Sequence, residues 1–206
     1  TEIKKIVKNY SKDAMLIGEA PCTKDLITIT DTDFKRVSAV SIVLIFLIIL
    51  VVFKSVSLPI ILVAVIEFAI FVNMGIPGFT GTKLPFIASI VIGTIQLGAT
   101  VDYAILMTTK YRKNRYTGMD KKPAISIALG TSIPSIIVSA LGFFAATFGV
   151  GMIASVDMIA SLCILLARGA IISMFVVVFI LPSMFMIFDK VICATSAGFK
   201  NKNLTA

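Results

Sequence analysis

Residues 87–115 read IASIVIGTIQLGATVDYAILMTTKYRKNR, and this stretch decides the fold. It is an apolar run with one acid inside it and a dense basic cluster at its end. About 20 apolar residues cross the hydrocarbon core of a bilayer, so 85–109 is long enough to span one. Asp102 lies inside that crossing, roughly 12 Å along the axis from Lys110 at 1.5 Å rise per residue. An aspartate near the centre of a bilayer costs roughly 2.5–3.5 kcal/mol on insertion scales. Such a cost persists only where the acid has a partner, a proton or a task. Tyr103 follows directly, and its phenol can donate or accept a hydrogen bond in dry surroundings.

Working outward, composition agrees with a membrane-embedded chain. Hydrophobic residues make up 58% of the 206, well above the share in a soluble domain. The formal net charge is +8, but the basic residues gather at the ends of apolar runs, a pattern that orients membrane helices rather than one that binds nucleic acid. The chain has no histidine, which removes Ser-His and Cys-His nucleophiles, histidine metal sites and histidine proton shuttles. Cys22, Cys163 and Cys193 are far apart with no CxxC pair, so metal or redox chemistry is not expected and no metal site is assigned. Interface anchoring falls to Tyr, Lys, Arg and Phe, because tryptophan is absent.

Residues 1–36 are polar and mixed in sign. They are too few to bury a core, and they read as the C-terminal remnant of a larger extracytoplasmic domain with α/β character: EIKKIVKNY as a short helix, AMLIGEA as a short strand. TDTDFKR then reads as a helix start. Apolar periodicity places five spans within a 37–190 transmembrane domain, at about 37–53, 59–74, 85–109, 124–149 and 169–188. KSVSLP is a tight turn, with Pro59 in the first turn of the second helix. Glu67 lies in the middle of that second span. NMGIPGFTGTK reads as a Gly/Pro loop, and Asp157 to Ala167 as an interfacial lead-in to the fifth span. Residues 191–206 form a polar tail.

Two features concern packing. Thr94, Gly98 and Asp102 recur every four residues and so share one face of the third helix, where Gly93 and Gly98 allow another backbone to come close. On the fourth span Ser135, Ser139, Gly142, Ala146 and Gly149 form a small-residue stripe suited to a neighbouring helix. Pro134 is expected to bend that helix. The segment Lys110 to Lys122 carries six basic residues and one acid, Asp120, and reads as a basic loop. The positive-inside rule then puts this loop and the tail in the cytoplasm and the N-terminal segment outside, in a multi-pass protein of the cell membrane.

These residues carry a family resemblance. GTIQLGATVDYAILMTTKYRKNR (93–115) resembles the fourth transmembrane helix of MMPL-type transporters in the resistance–nodulation–division (RND) superfamily. LLARGAIISMFVVVFILPSMFMIFDK (165–190) resembles the sixth helix, and FKSVSLPIILVAVIEFAIFVNMGIPGFTG (53–81) the cytoplasmic turn and third helix. The resemblance implies an all-α membrane fold, helices two to six of one RND repeat, which is also the five-helix unit of sterol-sensing domains. The short tail after the last span favours the C-terminal repeat. The resemblance implies a proton-motive-force-driven exporter of hydrophobic or lipid-like substrates, with no cofactor beyond the proton gradient. Because the family places Asp-Tyr pairs on both repeats and this chain has one, it also implies a second repeat as partner, in the same chain or another copy.

Asp102 and Tyr103 therefore have two readings: a proton relay that cycles as water reaches a dry carboxyl, or a protonated acid stapling two helices. The relay reading requires Asp102 to lie in a dry helical bundle. Glu67, at similar depth, is either a further relay or substrate contact or a protonated acid bonded to a neighbour. Arg168, read at a helix start, is expected to meet lipid phosphate or an extracytoplasmic acid. The chain is not expected to be an enzyme. An intramembrane aspartyl protease needs two facing aspartates, and the second acid here is a glutamate in another context. The remaining alternative is a non-transporting, sterol-sensing-like lipid-binding regulator.

Overall fold

In the computed structural model, residues 18–82 and 87–196 are described. Among them the chain is almost entirely helical: α1 (Glu19–Phe53), α2 (Ser57–Thr80), α3 (Ala88–Tyr116), α4 (Lys121–Ile153) and α5 (Asp157–Thr195). All five contain stretches long and apolar enough to cross a membrane. The chain divides into two units, residues 1–36 and 37–206.

In the first unit the expected α/β character is not found. No strand occurs among the described residues, and the chain is helical from Glu19 onward, so Glu19 and Ala20 of the expected strand open a helix instead. Residues 1–17, which include EIKKIVKNY and the start of AMLIGEA, lie outside the described residues. The expected helix start at TDTDFKR is likewise internal to α1. Once an apolar helix exists, extending it adds one hydrogen bond per residue, and this outweighs the weak strand preference of the Ile-Thr-Ile-Thr run.

In the second unit the helices outlast their apolar spans. α2 continues through Asn73, Gly75 and Pro77 and stops only at Gly81, whose φ of 66° is the left-handed helix-ending conformation. The expected loop over NMGIPGFT is thus helical. Likewise the basic cluster after Lys110 is not a loop. α3 runs to Tyr116, with Lys113 and Arg115 in its last turn, where cations complement the helix dipole. Asp157 to Ala167 is the start of α5, and Arg168 is internal to that helix. Between α1 and α2, Lys54 adopts φ 48° in the tight turn. That turn meets the end of α5: Ser55 Oγ lies 2.5 Å from Ser196 Oγ, and Ser57 Oγ 2.6 Å from Thr195 Oγ1.

α5 lies at the centre, packing on α2, α3 and α4. The main core contains Leu58, Leu62 and Ile66 of α2, Ala104, Met107 and Tyr111 of α3, and Val177, Leu181 and Phe185 of α5. Tyr111 and Phe185 stack with ring centroids 5.0 Å apart. α1 contributes Ile49 and Phe53, and the Arg112 guanidinium sits 5.6 Å over the Phe53 ring. Much of the remaining helix surface is exposed Leu, Ile, Val and Phe, as expected of a bundle whose solvent is lipid.

Candidate functional site

Polar groups inside such a bundle must find partners within it, because lipid offers none. Two clusters do so, and they bracket the bundle. At one end Asp189 of α5 receives three donors from α3. Tyr111 Oη donates to Oδ1 at 2.5 Å, Arg115 Nε to Oδ1 at 3.1 Å and Arg115 Nη2 to Oδ2 at 2.9 Å. Arg115 Nη1 also donates to the Met119 carbonyl at 2.6 Å, so the guanidinium ties the helix end as well. Around the same end, Lys110 Nζ donates to Thr131 O at 2.5 Å.

The second cluster joins α2, α3 and α5. Asn73 and Gln96 are fully or almost fully buried, at 0% and 2% exposed. Asn73 Nδ2 donates to Gln96 Oε1 at 2.8 Å and to Leu165 O at 3.2 Å. Gln96 Nε2 donates to Ser173 Oγ at 3.0 Å, and Thr100 Oγ1 lies 2.9 Å from the same hydroxyl. Arg168 donates from Nε to Asn73 Oδ1 and from Nη2 to Asn73 O, both at 2.9 Å. Among the described residues the partner of Arg168 is therefore a buried amide. Gly169 makes this possible: a Cβ there would stand 2.6 Å from Asn73 Nδ2 and 2.7 Å from Gln96 Oε1.

Arg168 and Asp189 are separated by about 31 Å of α5 at 1.5 Å per residue, close to the roughly 30 Å hydrocarbon thickness. The two clusters thus lie about one hydrocarbon thickness apart along α5. Asp102 lies about 9 Å along α3 from Gln96 and about 13 Å from Tyr111, near the middle of the crossing.

At that depth Asp102 is exposed on the surface of the bundle, while Tyr103 beside it is 4% exposed and faces Ser139 of α4. The chain does not bury the carboxyl in its own interior. Among the described residues no hydrogen-bond or ion-pair partner holds it. The periodicity of Thr94, Gly98 and Asp102 is consistent with this: Gly98 is also exposed, Thr94 is half-buried, and a Cβ at Gly98 would meet nothing within 4 Å. Gly93 is half-buried on the same helix. On α4, Ser139, Gly142 and Ala146 are exposed, and Gly142 and Gly149 are open to 4 Å. Among the described residues Ser139 meets Tyr103 of α3, while nothing lies within 4 Å of a Cβ at Gly142 or Gly149. Glu67 is half-buried on α2, beside exposed Ala64, Phe68 and Phe71, with no hydrogen-bond partner among the described residues.

The structure therefore brings Tyr103 and Ser139 together next to Asp102 and leaves Glu67 apart on α2. Sequence reasoning missed the Asn73–Gln96–Ser173 network and the Tyr111–Arg115–Asp189 clasp. Gln96 was the available signal, since an amide within a span needs partners. Among the described residues no group of three or more Cys, Asp or Glu converges as a metal site.

The sequence profile of the MMPL family matches residues 1–198. YdgH of Bacillus subtilis (strain 168), described as a candidate membrane protein, is 29% identical over 143 residues. That alignment covers 66% of this chain and 16% of the length of YdgH.

Proposed function

The chain belongs to the MMPL family of membrane proteins, and from that premise we propose that it is one repeat of a transporter driven by the proton gradient. It exports hydrophobic or lipid-like substrates, with Asp102 and Tyr103 as the proton-handling pair. The observation that carries this reading is the position of Asp102: an exposed carboxyl midway along α3, one turn after Gly98 and next to Tyr103, which faces Ser139. Left against lipid tails it would cost roughly 2.5–3.5 kcal/mol. Covered by a second repeat, it would lie in a dry seam between two bundles. The small residues let the second backbone come near enough to close that seam.

In this arrangement the proton changes the seam. A neutral Asp102 can pack closely and share its proton with a hydroxyl. An ionised Asp102 draws water or a cation and loosens the contact. Tyr103, fixed by burial and facing Ser139, offers a hydroxyl beside the acid. The Asp189 clasp and the Asn73 network hold the two ends of α3, so its middle carries the exchange. The basic cluster at the Asp189 end supports a cytoplasmic placement of that end and of residues 191–206, with the N-terminal segment extracytoplasmic in the cell membrane.

The test is export of a fluorescent lipophilic dye by the full-length protein in cells, with and without a proton uncoupler. Asp102→Asn should reduce export to the uncoupled level with expression unchanged. Uncoupler-sensitive export by that variant would remove the relay.

A further inference from the structure

Arg168 carries more donors than its partner uses. Its Nε and Nη2 are both spent on Asn73, and Asn73 is itself locked by Gln96 and Leu165 O. The guanidinium is thereby held in one orientation. Nη1 has no acceptor among the described residues, and no described carboxylate neutralises the charge. The nearest acid along α5, Asp157, is about 16 Å away along the helix at 1.5 Å per residue. Of the residues outside the described ones, Lys83 to Phe86 include no acid and 1–17 include Glu2 and Asp13. A partly buried guanidinium with no counter-charge among the described residues is unfavourable, and a fixed fork of this kind fits phosphate oxygens.

The surroundings say which phosphate. Residues four before and seven and eleven after Arg168 share its face of α5. These are Ile164, Phe175 and Phe179, at 45%, 52% and 65% exposed, and the two phenyl rings stack at 6.1 Å. The face is apolar and open for about 16 Å from Arg168 toward the middle of the membrane. A soluble anion would use only the guanidinium. A lipid would use both, its phosphate at the boundary and an acyl chain along the phenyl rings.

We propose that Arg168, clamped by Asn73, binds the phosphate of an anionic phospholipid whose acyl chain lies along Phe175 and Phe179. The site stands on different residues from Asp102 and holds whether or not the protein moves protons.

The full-length protein, purified in detergent, is titrated with dioleoyl-phosphatidylglycerol and followed by native mass spectrometry. Dioleoylglycerol serves as the phosphate-free control and glycerol 1-phosphate as the soluble competitor. One phosphatidylglycerol should bind at least tenfold more weakly to Arg168→Gln, and that site should be unchanged in Lys113→Gln/Lys121→Gln, which alters the opposite end. Equal binding to Arg168→Gln overturns the proposal, as does equal affinity for dioleoylglycerol. Full displacement by glycerol 1-phosphate at matching concentration would assign the site to a soluble anion and overturn the lipid. A second measurement needs no variant. Phosphatidylglycerol carrying a photoreactive acyl chain should label the wild-type protein within 164–179. Labelling only elsewhere, or none because a carboxylate of the full-length protein occupies the guanidinium, overturns it.

Discussion

Gly169→Ala adds one carbon, and the structure says where it goes. The new Cβ would lie 2.6 Å from Asn73 Nδ2, 2.7 Å from Gln96 Oε1 and 2.9 Å from Gln96 Cδ. Both side chains are buried and engaged, so neither can swing into open space. Backing off by several tenths of an ångström lengthens the bonds to Leu165 O and Ser173 Oγ and pulls on the Arg168 contact. Polar contacts within membrane bundles are worth about 0.6 kcal/mol on average and up to about 1.7. Weakening two or three of them costs about 1–4 kcal/mol. Alanine returns up to about 1 kcal/mol of helix propensity, leaving a net loss of up to about 3 kcal/mol when that return is full. Gly130→Ala is the matched control. It is the same change inside α4, where a Cβ meets nothing within 4 Å, so it should be neutral or stabilising by up to about 1 kcal/mol. Reversible unfolding of the full-length protein in mixed mild-detergent and SDS micelles reads both. Equal stability of Gly169→Ala and the wild type, or an equal loss from Gly130→Ala, would refute the reasoning.

Other outcomes follow from the same geometry. Arg115→Gln and Asp189→Asn should each destabilise by about 2–4 kcal/mol, somewhat below the range for fully buried pairs because Arg115 remains 20% exposed. The double variant should cost little more than either alone, and an additive result would deny the pair. Ser132 Oγ is buried without a hydrogen-bond partner among the described residues, so Ser132→Ala should be neutral or stabilising by up to about 1 kcal/mol in the same assay. A loss above 1 kcal/mol would show that the hydroxyl is satisfied. Gly98→Leu and Gly142→Leu meet open space in this chain and should leave its own packing intact, yet abolish dye export by closing the seam to a second repeat. Normal export by both would leave that face to lipid.

The spans were legible because apolar length is what a bilayer selects. The ends were not, because the residues that look like breakers are rescued by partners far along the chain. Asn73, Gly75 and Pro77 read as a loop until Gln96 and Arg168, 23 and 95 positions away, are seen to hold Asn73. The charges of Arg115 and Asp189 were visible as flanks, but nothing local shows that they meet across α3 and α5. The spacing of Thr94, Gly98 and Asp102 placed them on one face. It could not say whether that face looked inward, since in a membrane bundle lipid-facing and core-facing surfaces are equally apolar. The spacing of the small residues of α4 placed them on one face too, and Ser139, Gly142 and Ala146 are exposed there.

The account rests on Asp102 gaining and losing a proton inside a closed seam, and infrared titration of the full-length protein in lipid nanodiscs reads this directly. A protonated-carboxyl band absent from Asp102→Asn should appear and vanish reversibly as pH is varied. A band that never changes, or a titration identical in Asp102→Asn, would contradict it.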